Sequence, residues 1–269
     1  MSRLQIWVQG IGLLGPGLPS WAASLDVLRG TLPFASSPTV LPAPLRLPPA
    51  ERRRAGAAVK LALAVADEAV AQAQLDPALL ATVFTSSSGE GANCHALCET
   101  LATPAPMVSP TRFTNSVHNA AAGCWHIAVG SRAASTSLCA LDGSFGAGLI
   151  EAAASVALGG APLLLVASDS PYPEPLARTR PLPDHFGLAL VLTPAPTARS
   201  IAALSIGLVG ADQAASACNT CEDAALDALR RAVPAAAALP LLVALARGGA
   251  PGAVVLDYLA ATRVRVEVS

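Results

Sequence analysis

The chain has 269 residues, 53% hydrophobic and 13% charged, with a formal net charge of -1. That length buries a large core in one large domain or two small ones. Lys60 is the only lysine, so there is no basic stripe for nucleic acid. Aromatics are 4%, so Ala, Leu and Val must fill the core. So low a charged fraction points to a surface partly covered by a partner, although a codon bias toward Ala, Gly, Pro and Arg produces part of the same signal.

In chain order, Leu4 to Val8 reads as a buried strand and Gly10 to Gly17 as a glycine turn. Trp21 to Leu28 reads as a short helix and the Pro-rich stretch Pro33 to Pro49 as a loop. Glu51 to Gln74 carries apolar residues at helical spacing and is the clearest helix. Leu80 to Thr85 is a strand ending in Ser86-Ser87-Ser88-Gly89, and Cys94 to Leu101 is a helix. A loop follows Ser109-Pro110, then a helix from Asn119 to Val129, a strand from Ser135 to Leu141 and an almost uncharged helix from Gly143 to Leu158. Leu163 to Ala167 is a buried strand and Pro171 to Asp184 a loop. Phe186 to Leu192 and Ile201 to Val209 read as paired strands. Helices at Asp223 to Val233 and Leu239 to Ala246 precede closing strands at Val254 to Leu259 and Thr262 to Val268.

Alternating strands and helices indicate a layered α/β fold. A helix that is apolar all round, such as Gly143 to Leu158, must be buried between sheets. That favours five layers, α-β-α-β-α, over three. The longest apolar stretch, Ala152 to Ala167, is interrupted by Gly159-Gly160-Ala161-Pro162, so it reads as helix, turn and strand and no membrane span is expected. The six cysteines are irregularly spaced and Met1 to Gln9 reads as a strand, not a leader, so a cytoplasmic location is expected.

Several motifs invite chemistry. Gly10-Ile11-Gly12-Leu13-Leu14-Gly15 matches G-x-G-x-x-G, but no strand ending in an acidic residue follows at the right distance, so no dinucleotide is expected. Cys94, Cys98, Cys218 and Cys221 lie too far apart in sequence for a zinc signature, and no metal or other cofactor is expected. No G-x-S-x-G elbow is present.

The segment Asn119-Ala-Ala-Ala-Gly-Cys-Trp-His-Ile-Ala-Val-Gly130 resembles the ketosynthase pattern Asn-x-x-Ala-Gly-x-x-x-Ile-x-x-Gly without a gap. Val8-Gln9-Gly10-Ile11-Gly12, Arg53 to Leu75, Ser109-Pro110, Leu163 to Ser170 and the strands that follow resemble the same family in the same order. The resemblance to β-ketoacyl synthases of the thiolase superfamily covers roughly residues 4–213. It implies a thiolase-like layered fold whose N-terminal half, 1–213, is largely complete and whose C-terminal half, 214–269, is strongly truncated.

Ketosynthases place their nucleophilic cysteine twelve positions after the glycine matched by Gly130, where this chain has Asp142. A carboxylate there carries no thioester. The family's two C-terminal histidines have no counterpart either, since the histidines here are His95, His118, His126 and His185. These departures resemble the short chain-length-factor subunits of aryl polyene and type II polyketide clusters. Asn115 to Asn119, Ser137 to Ala140 and Asp169 to Pro175 carry that likeness. The resemblance implies a heterodimer with an active β-ketoacyl synthase that elongates chains on an acyl carrier protein.

Within that frame Asp142 reads as a helix cap or a group facing the partner. The partner- and tunnel-facing residues are Phe113, His118, Asn119, Ser135, Thr136 and Ser137, with the strand from Ala134 to Ala140 continuing one sheet across the dimer. The ordinary readings stand beside these: His118 as a hydrogen-bonded structural histidine, and Phe113 and His126 as core. Two alternatives stay open, a minimal acyltransferase using Cys139 and a homo-oligomeric scaffold.

Overall fold

The computed structural model describes residues 3–210, 212, 217–248 and 252–269. Eight strands form one sheet: β1 (Leu4–Leu14), β2 (Ala81–Thr85), β3 (Ser135–Leu138), β4 (Leu163–Asp169), β5 (Phe186–Thr193), β6 (Ala202–Gly210), β7 (Gly252–Leu259) and β8 (Thr262–Val268). Their order is β3-β2-β4-β5-β1-β6-β8-β7. β2 is parallel to β3 and β4, and the other pairs are antiparallel. The segments expected to pair directly, Phe186 to Leu192 and Ile201 to Val209, are separated by β1, which hydrogen-bonds to both.

The helices are α1 (Trp21–Arg29), α2 (Pro49–Arg54), α3 (Ala57–Ala73), α4 (Gly91–Leu101), α5 (Pro110–Thr114), α6 (Ala120–Val129), α7 (Ser144–Gly159), α8 (Leu176–Thr179), α9 (Ala224–Ala232) and α10 (Leu239–Ala246). The single helix expected over Glu51 to Gln74 is two, because the chain leaves helical geometry at Ala55 and Gly56. The strand expected over Ser135 to Leu141 ends at Leu138, and Leu141–Gly143 form a 3₁₀ turn.

The glycine turn expected at Gly10 is instead strand. A Cβ on Gly10 or Gly12 would overlap the carbonyl oxygens of Ala69 or Val65 on α3. These glycines let a helix lie close on a strand, which explains the fingerprint-like spacing without a dinucleotide. Glu68 on α3 fastens the contact, accepting the N–H of Leu13 at 2.9 Å and of Trp21 at 2.7 Å.

Alternation along β4 feeds two cores. Leu163, Leu165 and Ala167 join Phe145 and Leu149 of α7 on one face. Leu164 and Val166 join Leu61 and Val65 of α3 and Trp125 of α6 on the other. A strand buried on both faces must read as one apolar run, as this one does.

α7 touches β2 and β4 and also β7. In a flat sheet β2 and β7 would stand about 29 Å apart, at about 4.8 Å per strand, and a helix about 10 Å across touches only one of them. The sheet therefore bends around α7. The layers run from α3 and α6, through the sheet, to α7 and then the β8–β7 arm. The expected layered α/β class holds, with its strands joined in one continuous sheet. The arm enters that sheet through β6, where Leu204 to Gly210 pair with Val268 to Thr262. The expected boundary at 213/214 lies outside the described residues. Among these, one helical stretch, Leu141–Gly159, is long and apolar enough to cross a membrane. It is the central helix of the fold, with Phe145, Leu149, Ala152 and Val156 buried.

Candidate functional site

The turn from β3 into α7 is sharp and internally braced. The Ser144 hydroxyl accepts the Ala140 N–H at 3.0 Å and donates to the Leu141 carbonyl at 2.7 Å. Leu141 sits at φ +50°, a left-handed conformation uncommon outside glycine. Its side chain and that of Asp142 are exposed. Asp142 does not cap α7 as expected. Gly143 occupies the cap position without a side-chain bond, and the Asp142 carboxylate is drawn away to Arg180. The guanidinium of Arg180 in turn lies 5.9 Å from the ring centroid of Tyr172. A Cβ on Gly143 would overlap the carbonyl oxygen of Tyr258, so β7 sits directly against the N-terminus of α7.

Cys139, one step beyond β3, is exposed, and its thiol donates to the Ser87 carbonyl at 3.2 Å. It is engaged by a backbone oxygen, not by a base.

Four expected site residues do come together. His118, Asn119, Ser135 and Ser137 line an open groove of about 440 Å³ with Gly123 and His126. His126, whose ordinary reading was core, lines this groove; its Nε2 is 3.0 Å from the Thr82 hydroxyl, which donates to the Ser135 hydroxyl at 2.8 Å. Thr136 does not join them. It pairs with Val83, and alternation turns both toward α7. Phe113 is also apart from the groove and is 68% exposed on α5, contrary to its ordinary reading as core. Val117, Ile127 and Leu141 are likewise at least half exposed.

The groove runs along an open edge. β3 has β2 as its strand neighbour and forms one end of the sheet. At the opposite end the outer edge of β7 is covered in part. Asn219 donates its N–H to the Val255 carbonyl at 2.9 Å and accepts the Val255 N–H on its side-chain oxygen at 2.7 Å.

Two buried carboxylates stand on or next to the Ser86–Gly89 loop, and the sequence alone does not single them out. Asp169 accepts from Ser87 N and Oγ, each at 2.7 Å, from Ser86 Oγ at 3.2 Å and from Ala235 N at 2.8 Å. Burial pushes its pKa up, and those hydrogen bonds oppose the rise. The signal is its place at the end of β4, after the apolar run Leu163 to Ala167, where a buried carboxylate must find donors. Glu90 stands between the Ser86–Gly89 loop and α4 and is 8% exposed. His118 joins this region to the groove: its Nε2 lies 3.3 Å from the Ser86 carbonyl. Among the described residues no group of three or more His, Cys, Asp or Glu side chains is arranged to hold a metal ion.

The model of the β-ketoacyl synthase N-terminal domain matches residues 30–239. The chain belongs to the β-ketoacyl synthase family. No curated protein sequence matches it. Among solved structures, this β-ketoacyl synthase relative is similar to the ketosynthase (ApeO) in complex with its chain length factor (ApeC) from Xenorhabdus doucetiae. That likeness has 22% identity and a TM-score of 0.73, over 98% of this chain and 99% of that one. The ishigamide ketosynthase/chain length factor gives 15% identity and 0.72 over 98% and 99%. The AntDE:AntF complex of a type II polyketide acyl carrier protein with its ketosynthase gives 12% and 0.70 over 99% of each chain. At these identities the structural likeness establishes the thiolase-like fold. The turn at Leu141–Gly143, where Leu141 takes a positive φ, carries no cysteine.

Proposed function

We propose that this chain is a non-catalytic chain-length factor. It pairs in the cytoplasm with an active β-ketoacyl synthase and shapes that enzyme's acyl tunnel during carrier-protein-dependent polyene or polyketide elongation. The observation that carries the reading is the turn itself. Where a ketosynthase is expected to present its cysteine, this chain has Asp142, and the carboxylate is tied to Arg180. The nearest thiol, Cys139, bonds to a carbonyl. A carboxylate forms no thioester, and the hydrogen-bond partner of the Cys139 thiol is a carbonyl, where a nucleophile needs a base.

What the site offers instead is surface. β3 has a free edge, and strand addition at such an edge satisfies backbone groups that are otherwise a liability. Phe113, Val117, Ile127 and Leu141 provide exposed apolar contact on the elements around it, as an interface core needs. His118 lines both the groove and the smaller cavity behind it, on the path a partner's acyl chain would take. The reading is tested by reconstituting the carrier-protein-dependent reaction with a neighbouring ketosynthase. Both proteins together should elongate chains, and this chain alone should not. Elongation by this chain alone defeats the proposal.

A further inference from the structure

His118 and Glu90 divide one line of spaces into three. The groove at the β3 edge ends at His118. Behind His118 is a narrow cavity of about 20 Å³, lined by Val59, Phe84, Ala120 and Ala121, with Glu90 in its wall. Beyond Glu90 and Val59, which line both spaces, lies an open groove of about 440 Å³ edged by Arg54, Asn93, Thr111 and Arg112. Glu90 and Val59 are thus the partition between an apolar inner cavity and a polar outer groove.

The Glu90 carboxylate is held in that partition by its surroundings. α3 begins at Gly56 without a side-chain cap, and the N–H groups of Ala58 and Val59 face the carboxylate. A helix N-terminus favours a negative group. Gly56 makes the room, because a Cβ there would overlap Glu90 Oε2. Oε2 itself is buried with no hydrogen-bond partner.

We propose that Glu90 is the stop that sets how far an acyl chain enters this subunit, and that its removal joins the inner cavity to the outer groove. The inference rests on the chain-length-factor reading. An apolar chain end gains a little with each methylene it buries. Passing Glu90 requires pulling a carboxylate off a helix terminus and packing it against hydrocarbon, which costs more than the next methylenes return. A carboxylate therefore stops a chain more firmly than its volume alone would.

The test uses the complex with its ketosynthase, supplied with acetyl- and malonyl-loaded carrier protein, and reads product length by mass spectrometry. Glu90→Ala should lengthen the product by at least one two-carbon unit. Val59→Ala opens the same partition from α3 and should act in the same direction, which covers the case where Glu90→Ala does not fold. Ala121→Phe fills the inner cavity and should shorten the product. If Ala121→Phe shortens it while neither partition variant lengthens it, the stop is not at Glu90 and only this inference falls. If Ala121→Phe also leaves length unchanged in an intact complex, the chain does not enter this subunit and the tunnel reading falls with it.

Discussion

The carboxylate of Asp169 accepts the backbone N–H of Ala235 at 2.8 Å. Through that bond the C-terminal segment is tied to the Ser86–Ser87 loop, on which His118 and Cys139 both rest. Truncating Asp169 to Ala leaves two buried backbone donors, on Ser87 and Ala235, without a partner. The expected loss is about 2–4 kcal/mol, read as a lower urea midpoint with an unchanged slope. A shift smaller than about 0.5 kcal/mol would mean the network contributes little.

Glu90 gives a pH dependence with a definite sign. Burial pushes its carboxyl above the usual glutamate range, and the N–H groups of Ala58 and Val59 and the charge of Lys60 only partly oppose this. The folded state therefore binds the proton more readily than the unfolded chain. Stability falls as pH rises through the raised value, and the gain on acidification levels off below about 4.3, where the unfolded glutamate is also protonated. Asp67, Glu68 and Asp169 are shifted in the same direction, so the Glu90 share must be isolated by difference. Glu90→Gln should show a smaller stability gain between neutral pH and pH 5 than the parent chain. Equal gains would place the Glu90 proton elsewhere.

Asp142 is a surface partner of Arg180, with 79% of its side chain exposed. Exposed pairs of this kind contribute at most about 1 kcal/mol. Asp142→Ala should therefore shift the unfolding midpoint by no more than a few degrees and leave pairing with the ketosynthase intact. A larger destabilisation would restore the helix-capping role that the geometry contradicts.

Ala134 and Leu138 direct their carbonyls to β2, where Thr82 and Ser86 donate to them. By alternation, Ser135 and Ser137 present their backbone groups to the open edge of β3. Ser137→Pro removes an outward N–H without removing a bond inside the chain. It should weaken association with the ketosynthase at least tenfold in an equilibrium binding measurement while the isolated chain stays folded. Undiminished binding would move the interface away from this edge.

The sequence disclosed the class of the fold through its buried runs. Leu163 to Ala167 is apolar at every position because β4 is covered on both faces, and Gly143 to Leu158 is almost uncharged because α7 lies in the middle layer. In the sequence Gly10 and Gly12 read as a turn, because a missing side chain looks the same whether it serves a bend or a close approach. Only the contact with Val65 and Ala69, more than fifty residues away in sequence, separates the two. The same limit hid the break in the long helix at Gly56, where a Cβ would overlap the carboxylate of Glu90. Of the expected partner-facing residues, His118, Asn119, Ser135 and Ser137 meet in one groove because the order of motifs brings their elements together. Thr136 lies on the other face of β3, as strand alternation requires. Asp142 reads as a cap in the sequence because Arg180, its partner, is 38 residues further on.

On the proposed reading, this chain supports acyl elongation without carrying the acyl group. Native mass spectrometry of the chain co-expressed with a neighbouring ketosynthase, after loading with acyl carrier protein, tests it most directly. The expected result is a one-to-one complex with acyl adducts on the ketosynthase alone. An adduct on this chain, lost in Cys139→Ala, would contradict it and make the chain an acyltransferase. A stable homodimer that ignores the ketosynthase would contradict it in favour of a scaffold.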